Sequence, residues 1–275
     1  VGDKPVIEHT VRELVSSGIT DITIVVSGGK SLIQEHFRPN PGLVEQLRAD
    51  GKDAYADAVE EVGELSHQGH ITYLDQHGPY GNGTPVLNAA RSFRDEPVLV
   101  LWPDDVFVAD VPRAQQLISA YEQTSSPVLA LMPMVPEHAP RYGVPIVKED
   151  LDGGLLRITG LVEKPKPEDA PSSFAAIGGY VVTPGVVDEL REQTKRWYEN
   201  RQGEIYLTDA INAYARSRAV YGQVIQGRWY DTGNPADYLI AQFAFALSHP
   251  GYGPALRALA NSVDGALPGG ASPAI

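Results

Sequence analysis

Acidic residues stand directly after apolar segments at two places in the chain. Asp104 and Asp105 follow the run Leu-Val-Leu-Trp-Pro, and Asp231 follows Arg-Trp-Tyr and precedes Thr-Gly-Asn-Pro. Side chains at the carboxyl end of a buried strand lie at the ligand-binding edge of an open α/β sheet. One or two carboxylates combined with phosphate oxygens form the ligand set that Mg²⁺ prefers. Taken alone, the Asp104 segment is equally compatible with a turn followed by a helix N-cap, and the Asp231 segment is more typical of an N-cap.

A glutamate and a lysine, Glu163 and Lys164, are adjacent in the segment Leu-Val-Glu-Lys-Pro-Lys-Pro. At a strand end, the Glu163 carboxylate can accept hydrogen bonds from sugar hydroxyls while the Lys164 ammonium meets a phosphate. The pair therefore predicts a site for a sugar phosphate, although Glu-Lys-Pro is also a common surface turn.

Glycines recur in three segments where backbone could come close to a ligand. The loop that begins at Gln76 contains Gly81 and Gly83, and a glutamine amide can pair with the O/NH edge of a pyrimidine. Gly143 lies in Arg-Tyr-Gly-Val, and Gly179 lies in Gly-Gly-Tyr. A mobile loop or a simple turn explains each of these segments equally well when it is considered alone.

The elements that must position these residues are strands and helices in alternation. Short, continuous apolar runs rich in β-branched residues predict strands at 22–27, 71–75, 98–102, 128–132, 177–183 and 220–225. Amphipathic patterns predict helices from Pro5 to just before Gly18 and at 112–121, 184–197, 207–216 and 235–247. This alternation predicts an α/β fold of doubly wound, Rossmann-like type, with a mostly parallel sheet and helices on both faces. A charge-rich stretch at 43–65, broken near Gly51, predicts a helical insertion or interface element.

Composition limits the classes of function that are open. The chain has 275 residues, no cysteine and a net charge of −13, with 22 Lys and Arg against 35 Asp and Glu. The lack of cysteine excludes disulfides, thiolate zinc sites and a cysteine nucleophile. So acidic a surface repels a phosphate backbone, and we expect no nucleic-acid partner. The sequence has no apolar run of about 18 residues and no signal-peptide core, which predicts a soluble, cytoplasmic protein without a membrane partner.

The order of these segments is more specific than any one of them. A Gly-rich loop, a strand ending in Pro-Asp, Tyr-Gly-Val, Val-Glu-Lys-Pro, Gly-Tyr-Val and Asp-x-Gly-Asn follow one another, with Gly-Asp-Lys-Pro near the start and Leu-Thr-Asp-Ala at 207–210. Over residues 1–248 this pattern closely resembles the sugar-1-phosphate nucleotidylyltransferases. The long segment at 43–65 is more similar to the uridylyltransferase branch of that family than to the thymidylyltransferases.

The resemblance implies a reaction and a role for each residue. The reaction is transfer of a uridylyl group from UTP to glucose 1-phosphate with release of pyrophosphate, carried out by a homodimer or homotetramer. Asp104 and Asp231 would hold a catalytic Mg²⁺, with Asp105 the less suitable ligand, and Lys164 would complete the catalytic set. The remaining roles are Gln76 at the uracil edge, Gly81 and Gly83 under the nucleotide, Gly143 and Gly179 as backbone contacts to the sugar, Glu163 at the glucose hydroxyls and Lys164 at the phosphate.

The chain departs from the family pattern in two respects. Asn82 stands where the family has an apolar residue, and Thr84 and Pro85 follow the second glycine of the loop, which leaves the base preference less defined. The family's Gly-x-Gly-Thr-Arg loop and Pro-Lys-Glu-x-x-Pro segment, which cradle the triphosphate, would precede Val1 in this numbering. We therefore expect a first strand and phosphate loop upstream of residue 1, one nucleotidyltransferase domain over 1–260, and a flexible tail over 261–275.

Other classes of protein share parts of the pattern. A non-catalytic sugar-nucleotide-binding or scaffold protein of the same fold would keep the pocket, but it has no physical need for two metal carboxylates. A metal-dependent glycosyltransferase could use Pro-Asp-Asp, but a sugar-phosphate site at Glu163 and Lys164 argues against it. The absence of Gly-x-Gly-x-x-Gly after a strand disfavours an NAD oxidoreductase. Another base or another sugar 1-phosphate within the same family stays open.

Overall fold

The chain alternates helices with strands along its length. The computed structural model describes residues 1–28, 30–92 and 95–263. The helices are α1 (Val6–Ser16), α2 (Lys30–Phe37), α3 (Pro41–Ala49), α4 (Asp53–Gln68), α5 (Gly83–Ala89), α6 (Arg113–Thr124), α7 (Pro184–Asn200), α8 (Leu207–Ala215), α9 (Pro235–Ser248) and α10 (Gly253–Val263). The strands are β1 (Thr23–Val26), β2 (Thr72–Asp75), β3 (Val98–Leu101), β4 (Asp105–Val108), β5 (Val128–Pro133), β6 (Gly143–Leu151), β7 (Leu155–Glu163), β8 (Phe174–Val182), β9 (Val220–Val224) and β10 (Arg228–Asp231). Within these described ranges, no helix has both the length and the apolar character needed to cross a membrane.

Six strands form the main sheet, in the order β3-β8-β5-β9-β7-β6. Within it β5 and β9 are parallel, whereas β8 runs antiparallel to β3 and β5, and β7 runs antiparallel to β6 and β9. Two further ladders stand apart from it among the described strands: β1 pairs parallel with β2, and β4 pairs antiparallel with β10. The α/β class is confirmed, but the sheet is mixed where the sequence predicts a mostly parallel one.

The strand directions differ from the prediction because an apolar run identifies a buried strand without fixing its direction. β6 and β7 are joined by three residues, and Gly153 and Gly154 in that turn have φ angles of 79° and 78°. So short a connection joins antiparallel neighbours, because a parallel pair needs a long crossover. Strands β4, β6, β7 and β10 also lie outside the apolar runs that predict strands.

The two faces of the main sheet bury different side chains, as the alternation of residues along a strand requires. Leu129 and Leu131 of β5 belong to the hydrophobic cluster that includes α7 and α8, whereas Val128 and Ala130 belong to the cluster that includes α6. A third cluster joins α1, β1 and α4 to Ala114 of α6. The prediction of helices on both faces is therefore confirmed.

Two further predictions concern segments outside the main sheet. The stretch at 43–65 is helical as predicted, and Gly51, with a φ of 70°, lies in the break between α3 and α4. Helix α10 continues to Val263, so the first three residues of the predicted tail are helical. The rest of that predicted tail, 264–275, lies outside the described residues.

Candidate active site

The small β4–β10 ladder brings two of the predicted acidic residues side by side. Asp105, the first residue of β4, is paired in register with Asp231, the last residue of β10. Asp104 immediately precedes β4, and its carbonyl oxygen accepts hydrogen bonds from the N–H and the Oγ1 of Thr232, at 2.8 and 2.7 Å. The turn before β4 is thus fastened to the turn after β10, which holds Asp104 next to Asp231.

The carboxylates of Asp104 and Asp231 converge on Gly233. A Cβ atom at this glycine would lie 2.9 Å from Oδ2 of Asp104 and 3.1 Å from Oδ1 of Asp231, so the lack of a side chain at Gly233 lets both carboxylate oxygens approach the same point. Burial and the neighbouring charge of Asp231 raise the pKa of Asp104. Two carboxylates that face one space and repel each other fit a divalent cation whose other ligands are phosphate oxygens. In the described part of the chain, no group of three or more His, Cys, Asp or Glu side chains is placed to hold a metal.

A guanidinium and a phenol hold the other oxygen of Asp231. Its Oδ2 accepts hydrogen bonds from Nη2 of Arg141 at 2.8 Å and from the hydroxyl of Tyr142 at 3.1 Å. The same arginine nitrogen donates to Oδ2 of Asp237 in the first turn of α9, also at 2.8 Å. Burial and the charge of Asp231 raise the pKa of Tyr142, so its hydroxyl stays protonated and donates. These contacts fix the Asp231 carboxylate while its Oδ1 accepts the N–H of Gly233 at 3.1 Å.

Asp105 makes structural contacts instead of facing Gly233. Its Oδ2 accepts the N–H of Gly178 at 2.7 Å, and its Oδ1 accepts the indole N–H of Trp229. The side chain is buried, and this burial raises the pKa of Asp105 to about 6. Asp105 therefore ties β4 to β8 and β10, and Asp104 is the acid of the pair that faces Gly233.

Buried Arg113 contacts the carbonyl side of the Gly178 backbone. Nη1 of Arg113 donates to the carbonyl oxygen of Gly178 at 2.6 Å, and its Nε and Nη2 donate to the Glu13 carboxylate at 3.1 and 2.8 Å. Arg113 is completely buried, and a buried charge is stable only with such a partner. The backbone of Gly178 is thus held at its N–H by Asp105 and at its carbonyl by Arg113.

A cavity of about 660 Å³ is lined by the site residues Asp104, Asp105, Arg141, Tyr142, Gly178 and Asp231. Gly143 and Glu163 also line it, and the two are paired in register across the β6–β7 hairpin. A Cβ at Gly143 would lie 3.4 Å from Oε2 of Glu163. Lys164 follows directly; its side chain is exposed, and its backbone N–H donates to the carbonyl of Tyr142 at 3.0 Å. The structure thus brings four predicted site residues to one cavity, namely Asp104, Gly143, Glu163 and Asp231.

The Gly-rich loop is fixed against the segment that precedes α8. The N–H of Gly83 donates to the carbonyl of Ile205 at 2.8 Å, and Oδ1 of Asn82 accepts the N–H of Leu207 at 2.9 Å. Gly81 has a φ of 127°, and a Cβ there would collide with the backbone of Ile205. Contact with Ile205 therefore requires a glycine at position 81. Gly81 and Gly83 are not among the residues that line the cavity.

Helix α8 connects this loop to the strand that carries Glu163. Nδ2 of Asn212 donates to the carbonyl of Leu161 at 3.0 Å, and its Oδ1 accepts the N–H of the same leucine at 2.7 Å. Leu161 lies two residues before Glu163 on β7. Thr208, in the first turn of α8, lines the cavity together with Asn82. The loop, α8 and the end of β7 are therefore linked by hydrogen bonds.

Besides the two loop glycines, three predicted site residues do not line the cavity, namely Gln76, Lys164 and Gly179. Gln76 follows β2, where its N–H donates to the carbonyl of Val26 at 2.8 Å, and it is not among the residues around the cavity. The open side of Gly179 faces Ala130 on the other face of the main sheet, because successive residues of a strand alternate between faces. Gly178, the residue before Gly179, lines the cavity.

Several residues of the site lie outside the sequence-based assignments. Arg141 and Tyr142 directly precede Gly143, yet nothing in that segment indicates that both contact Asp231. Trp102 and Trp229 also line the cavity. Each stands two positions before a predicted metal ligand, and this spacing is a local signal that indicates the two tryptophans.

Comparison with known proteins identifies the class to which this fold and site belong. The family model described as Nucleotidyl transferase matches residues 1–246. The chain therefore belongs to the nucleotidyl transferase family, as its motifs predict.

Within that family, the chain is similar to curated UTP–glucose-1-phosphate uridylyltransferases. It is 33% identical to the one from Streptococcus pneumoniae over 252 residues, which cover 90% of this chain and 82% of the relative. It is 34% identical to one from Bacillus subtilis over 247 residues, which cover 89% of this chain and 81% of the relative. The predicted resemblance to the uridylyltransferase branch is confirmed.

Solved structures show the same architecture. The UTP-bound UGPase of Acinetobacter baumannii superposes with a TM-score of 0.83 at 26% identity, over 95% of this chain and 89% of that one. A UDP-glucose pyrophosphorylase complexed with UDP-glucose superposes with a TM-score of 0.76 at 27% identity, over 90% of this chain and 88% of that one. Both comparisons confirm the predicted nucleotidyltransferase fold.

Proposed function

We propose that the chain transfers the uridylyl group of UTP to glucose 1-phosphate, giving UDP-glucose and pyrophosphate. The observation that carries this proposal is the convergence of Asp104, Asp231, Gly143 and Glu163 on one cavity in a member of the nucleotidyl transferase family. The relatives described above carry the name of that activity, which supports the same substrates here. A phosphate oxygen of glucose 1-phosphate attacks the α-phosphorus of UTP, and the bond from that phosphorus to pyrophosphate breaks.

The sugar side of the proposed site combines hydrogen-bond acceptors with a cation. The Glu163 carboxylate accepts hydrogen bonds from glucose hydroxyls, with the backbone of Gly143 beside it. Gly178 offers backbone to the sugar in place of Gly179, because it is the glycine on the cavity wall. The exposed ammonium of Lys164 meets the sugar phosphate, which needs a local positive charge in a protein of net charge −13.

Asp104 and Asp231 are the residues proposed to hold Mg²⁺. The approach of both carboxylate oxygens to one point at Gly233 is the feature that suits the ion. When bound, such an ion neutralises charge on phosphate oxygens and aligns the two substrates. Arg141 keeps Asp231 in the required orientation, and Asp105 supports β4, which follows Asp104, and β10, which ends at Asp231.

The nucleotide is proposed to lie against the Gly-rich loop. Gln76 pairs with the uracil edge through its amide, and Gly81 and Gly83 let the nucleotide come close to the loop backbone. The hydrogen bonds from the loop to Ile205 and Leu207 hold these positions before the nucleotide arrives. Little covalent chemistry is required of the protein, because positioning and charge neutralisation carry the rate.

We also propose a cytoplasmic homo-oligomer without nucleic-acid or membrane partners. Self-association is supported by α9, where Leu239, Ile240 and Phe243 are 66%, 54% and 54% exposed. A cluster of exposed apolar side chains is typical of a protein–protein interface. The net charge of −13 disfavours a nucleic-acid partner. Light scattering of the purified chain measures the oligomeric state directly.

An assay with defined substrates tests the proposed reaction. UTP, glucose 1-phosphate and MgCl₂ are incubated with the protein, and UDP-glucose and pyrophosphate are quantified together, since a protein that only binds sugar nucleotides produces neither. Replacing UTP with dTTP, or glucose 1-phosphate with galactose 1-phosphate, measures the choice of base and sugar. The variant Asp104→Asn controls for contaminating enzymes. Equal product formation by the wild type and this variant would contradict the proposal.

A further inference from the structure

A second cavity, away from the candidate active site, has the opposite charge. Its volume is about 310 Å³, and it lies between the loop after β2, helix α5 with the turn that follows it, and helix α7. Arg91, Arg191 and His77 line it, and no acidic side chain is among the described residues around it. The active-site cavity is instead lined by four carboxylates, those of Asp104, Asp105, Glu163 and Asp231. In a chain with 35 acidic and 22 basic side chains, this composition marks the second cavity as suited to an anion.

The two guanidinium groups of this cavity are available to a ligand. Arg91 forms no ion pair with any residue that the structure describes. Arg191 pairs with Asp188 at 2.6 Å, but these side chains are 53% and 68% exposed, and ion pairs so exposed to water are weak. An anion with several oxygens can therefore replace Asp188 as the partner of Arg191.

A buried hydroxyl adds a polar group that lacks a partner. Thr194 lines the cavity, and its Oγ1 is buried without a hydrogen bond to any described residue. Buried hydroxyls are nearly always bonded, so this one indicates a missing partner. Arg191, Thr194 and Tyr198 are three and four residues apart and lie on one face of α7. Tyr198 and Leu87 add apolar surface beside the polar groups.

We propose that this cavity binds the phosphate group of a small phosphorylated molecule. Each guanidinium can donate two parallel hydrogen bonds to phosphate oxygens, and the hydroxyl of Thr194 can contribute another once its side chain rotates toward the cavity. The volume is near the lower limit of ligand pockets, about 300 Å³, which suits a phosphate monoester or free phosphate better than a nucleoside triphosphate.

The cavity shares a wall with the loop proposed to bind the nucleotide. Asn88 holds the backbone of His77 on both sides, accepting its N–H on Oδ1 and donating from Nδ2 to its carbonyl, each at 2.9 Å. His77 directly follows Gln76 in the chain. A ligand packed against His77 therefore contacts the loop that carries Gln76, and we expect it to change the KM for UTP. This kinetic effect rests on the proposed function, whereas binding of the anion does not.

Calorimetric titration with inorganic phosphate at constant ionic strength tests the site. Every protein in the series carries Lys164→Ala, which removes the cation proposed to bind phosphate in the active site. The pair Arg91→Ala/Arg191→Ala is compared with the control pair Lys195→Ala/Arg196→Ala, which removes two exposed cations of α7 that do not line the cavity. We expect phosphate to bind about tenfold more weakly, or weaker still, in the first pair and with unchanged affinity in the control pair.

A conservative variant and a further probe sharpen this test. Thr194→Val keeps charge and shape but removes the hydroxyl, and we expect severalfold weaker binding. Glucose 6-phosphate, titrated in the same way into the arginine pair and the control pair, distinguishes a phosphorylated molecule from free phosphate, because only the former gains from the apolar surface of Tyr198.

Three outcomes separate the anion site, its effect on the loop and the proposed function. Loss of all phosphate binding in the Lys164→Ala background, or equal affinity in the arginine pair and the control pair, would overturn the anion site. An unchanged KM for UTP in the presence of a ligand shown to bind would overturn its effect on the loop. Phosphate binding as expected, combined with a wild-type protein that forms no UDP-glucose from UTP and glucose 1-phosphate, would refute the proposed function and leave the anion site in place.

Discussion

Asp104 and Asp105 are consecutive in the chain, yet their carboxylates serve different parts of the site. Oδ2 of Asp105 accepts the N–H of Gly178 at 2.7 Å, whereas Oδ2 of Asp104 lies 2.9 Å from the position that a Cβ of Gly233 would occupy, next to Asp231. One acid therefore stabilises the strands, and the other is left to face a ligand. This difference predicts opposite consequences for the same substitution at the two positions.

We expect Asp105→Asn to lower the stability of the protein and Asp104→Asn to leave it unchanged or higher. An asparagine at position 105 cannot accept both hydrogen bonds, so the free energy of unfolding should fall by about 1–3 kcal/mol. At position 104 the pKa is already raised by burial and by Asp231, so removing the charge relieves repulsion. Urea denaturation measures both effects. Equal destabilisation by the two substitutions would contradict this division of roles.

Removing either acid beside Gly233 should weaken metal binding. We expect Asp104→Asn and Asp231→Asn to lower the affinity for Mn²⁺, measured by electron paramagnetic resonance, and to reduce kcat by about 10²–10³-fold. Asp150→Asn is the matched control, since it removes the same charge from an exposed position on β6. If either active-site variant kept the Mn²⁺ affinity and turnover of the control, the metal assignment would be wrong.

The charge of Lys164 should affect the KM for glucose 1-phosphate more than the KM for UTP. Lys164→Ala is expected to raise the KM for glucose 1-phosphate about tenfold or more, with little change in the KM for UTP. Lys164 has a φ of 48°, and alanine bears a similar strain in that conformation, so the substitution tests the charge. Steady-state kinetics of Lys166→Ala, an exposed lysine two residues further on, provide the control. A change confined to the KM for UTP would show that the site is misassigned.

Two glycines with positive φ should respond differently to alanine. Gly81 has a φ of 127° and no room for a Cβ beside Ile205, whereas Gly203 has a φ of 76° and open space around it. We expect Gly203→Ala to cost about 1–2 kcal/mol in unfolding free energy, and Gly81→Ala to cost about 2–4 kcal/mol. Gly81→Ala should also raise the KM for UTP, because it displaces the loop from Ile205. Similar losses of stability in both variants would mean that the contact with Ile205 is unimportant.

Local signals explain why part of this site is predictable from the sequence. Asp104, Asp231 and Glu163 each follow an extended segment and precede a turn, and both features can be read from neighbouring residues. Arg113 carries no such signal, since it meets Glu13 across 100 positions of sequence and a buried arginine is unusual. Its role depends on how α1 packs against α6, which no local pattern specifies.

Strand register sets a second limit on sequence-based prediction. Gly178 and Gly179 are adjacent, and only the direction and pairing of β8 determine which of them faces the cavity. The turn at Gly153 and Gly154 does carry a hairpin signal, because consecutive glycines with positive φ suit a short reversal. That signal indicates the antiparallel β6–β7 pair, but the position of β8 between β3 and β5 has no counterpart in the local sequence.

Helix α8 is bonded to the Gly-rich loop near one end and to β7 through Asn212 near the other. A protected amide exchanges its proton for deuterium only when its hydrogen bond opens, and segments that are bonded together open together. The amides of Gly83, Leu207 and Leu161 should therefore report one shared opening free energy in hydrogen exchange, although they are far apart in the chain. Fraying of α8 would release the loop and the strand end that carries Glu163 in a single event. We therefore expect the opened molecule to bind neither UTP nor glucose 1-phosphate.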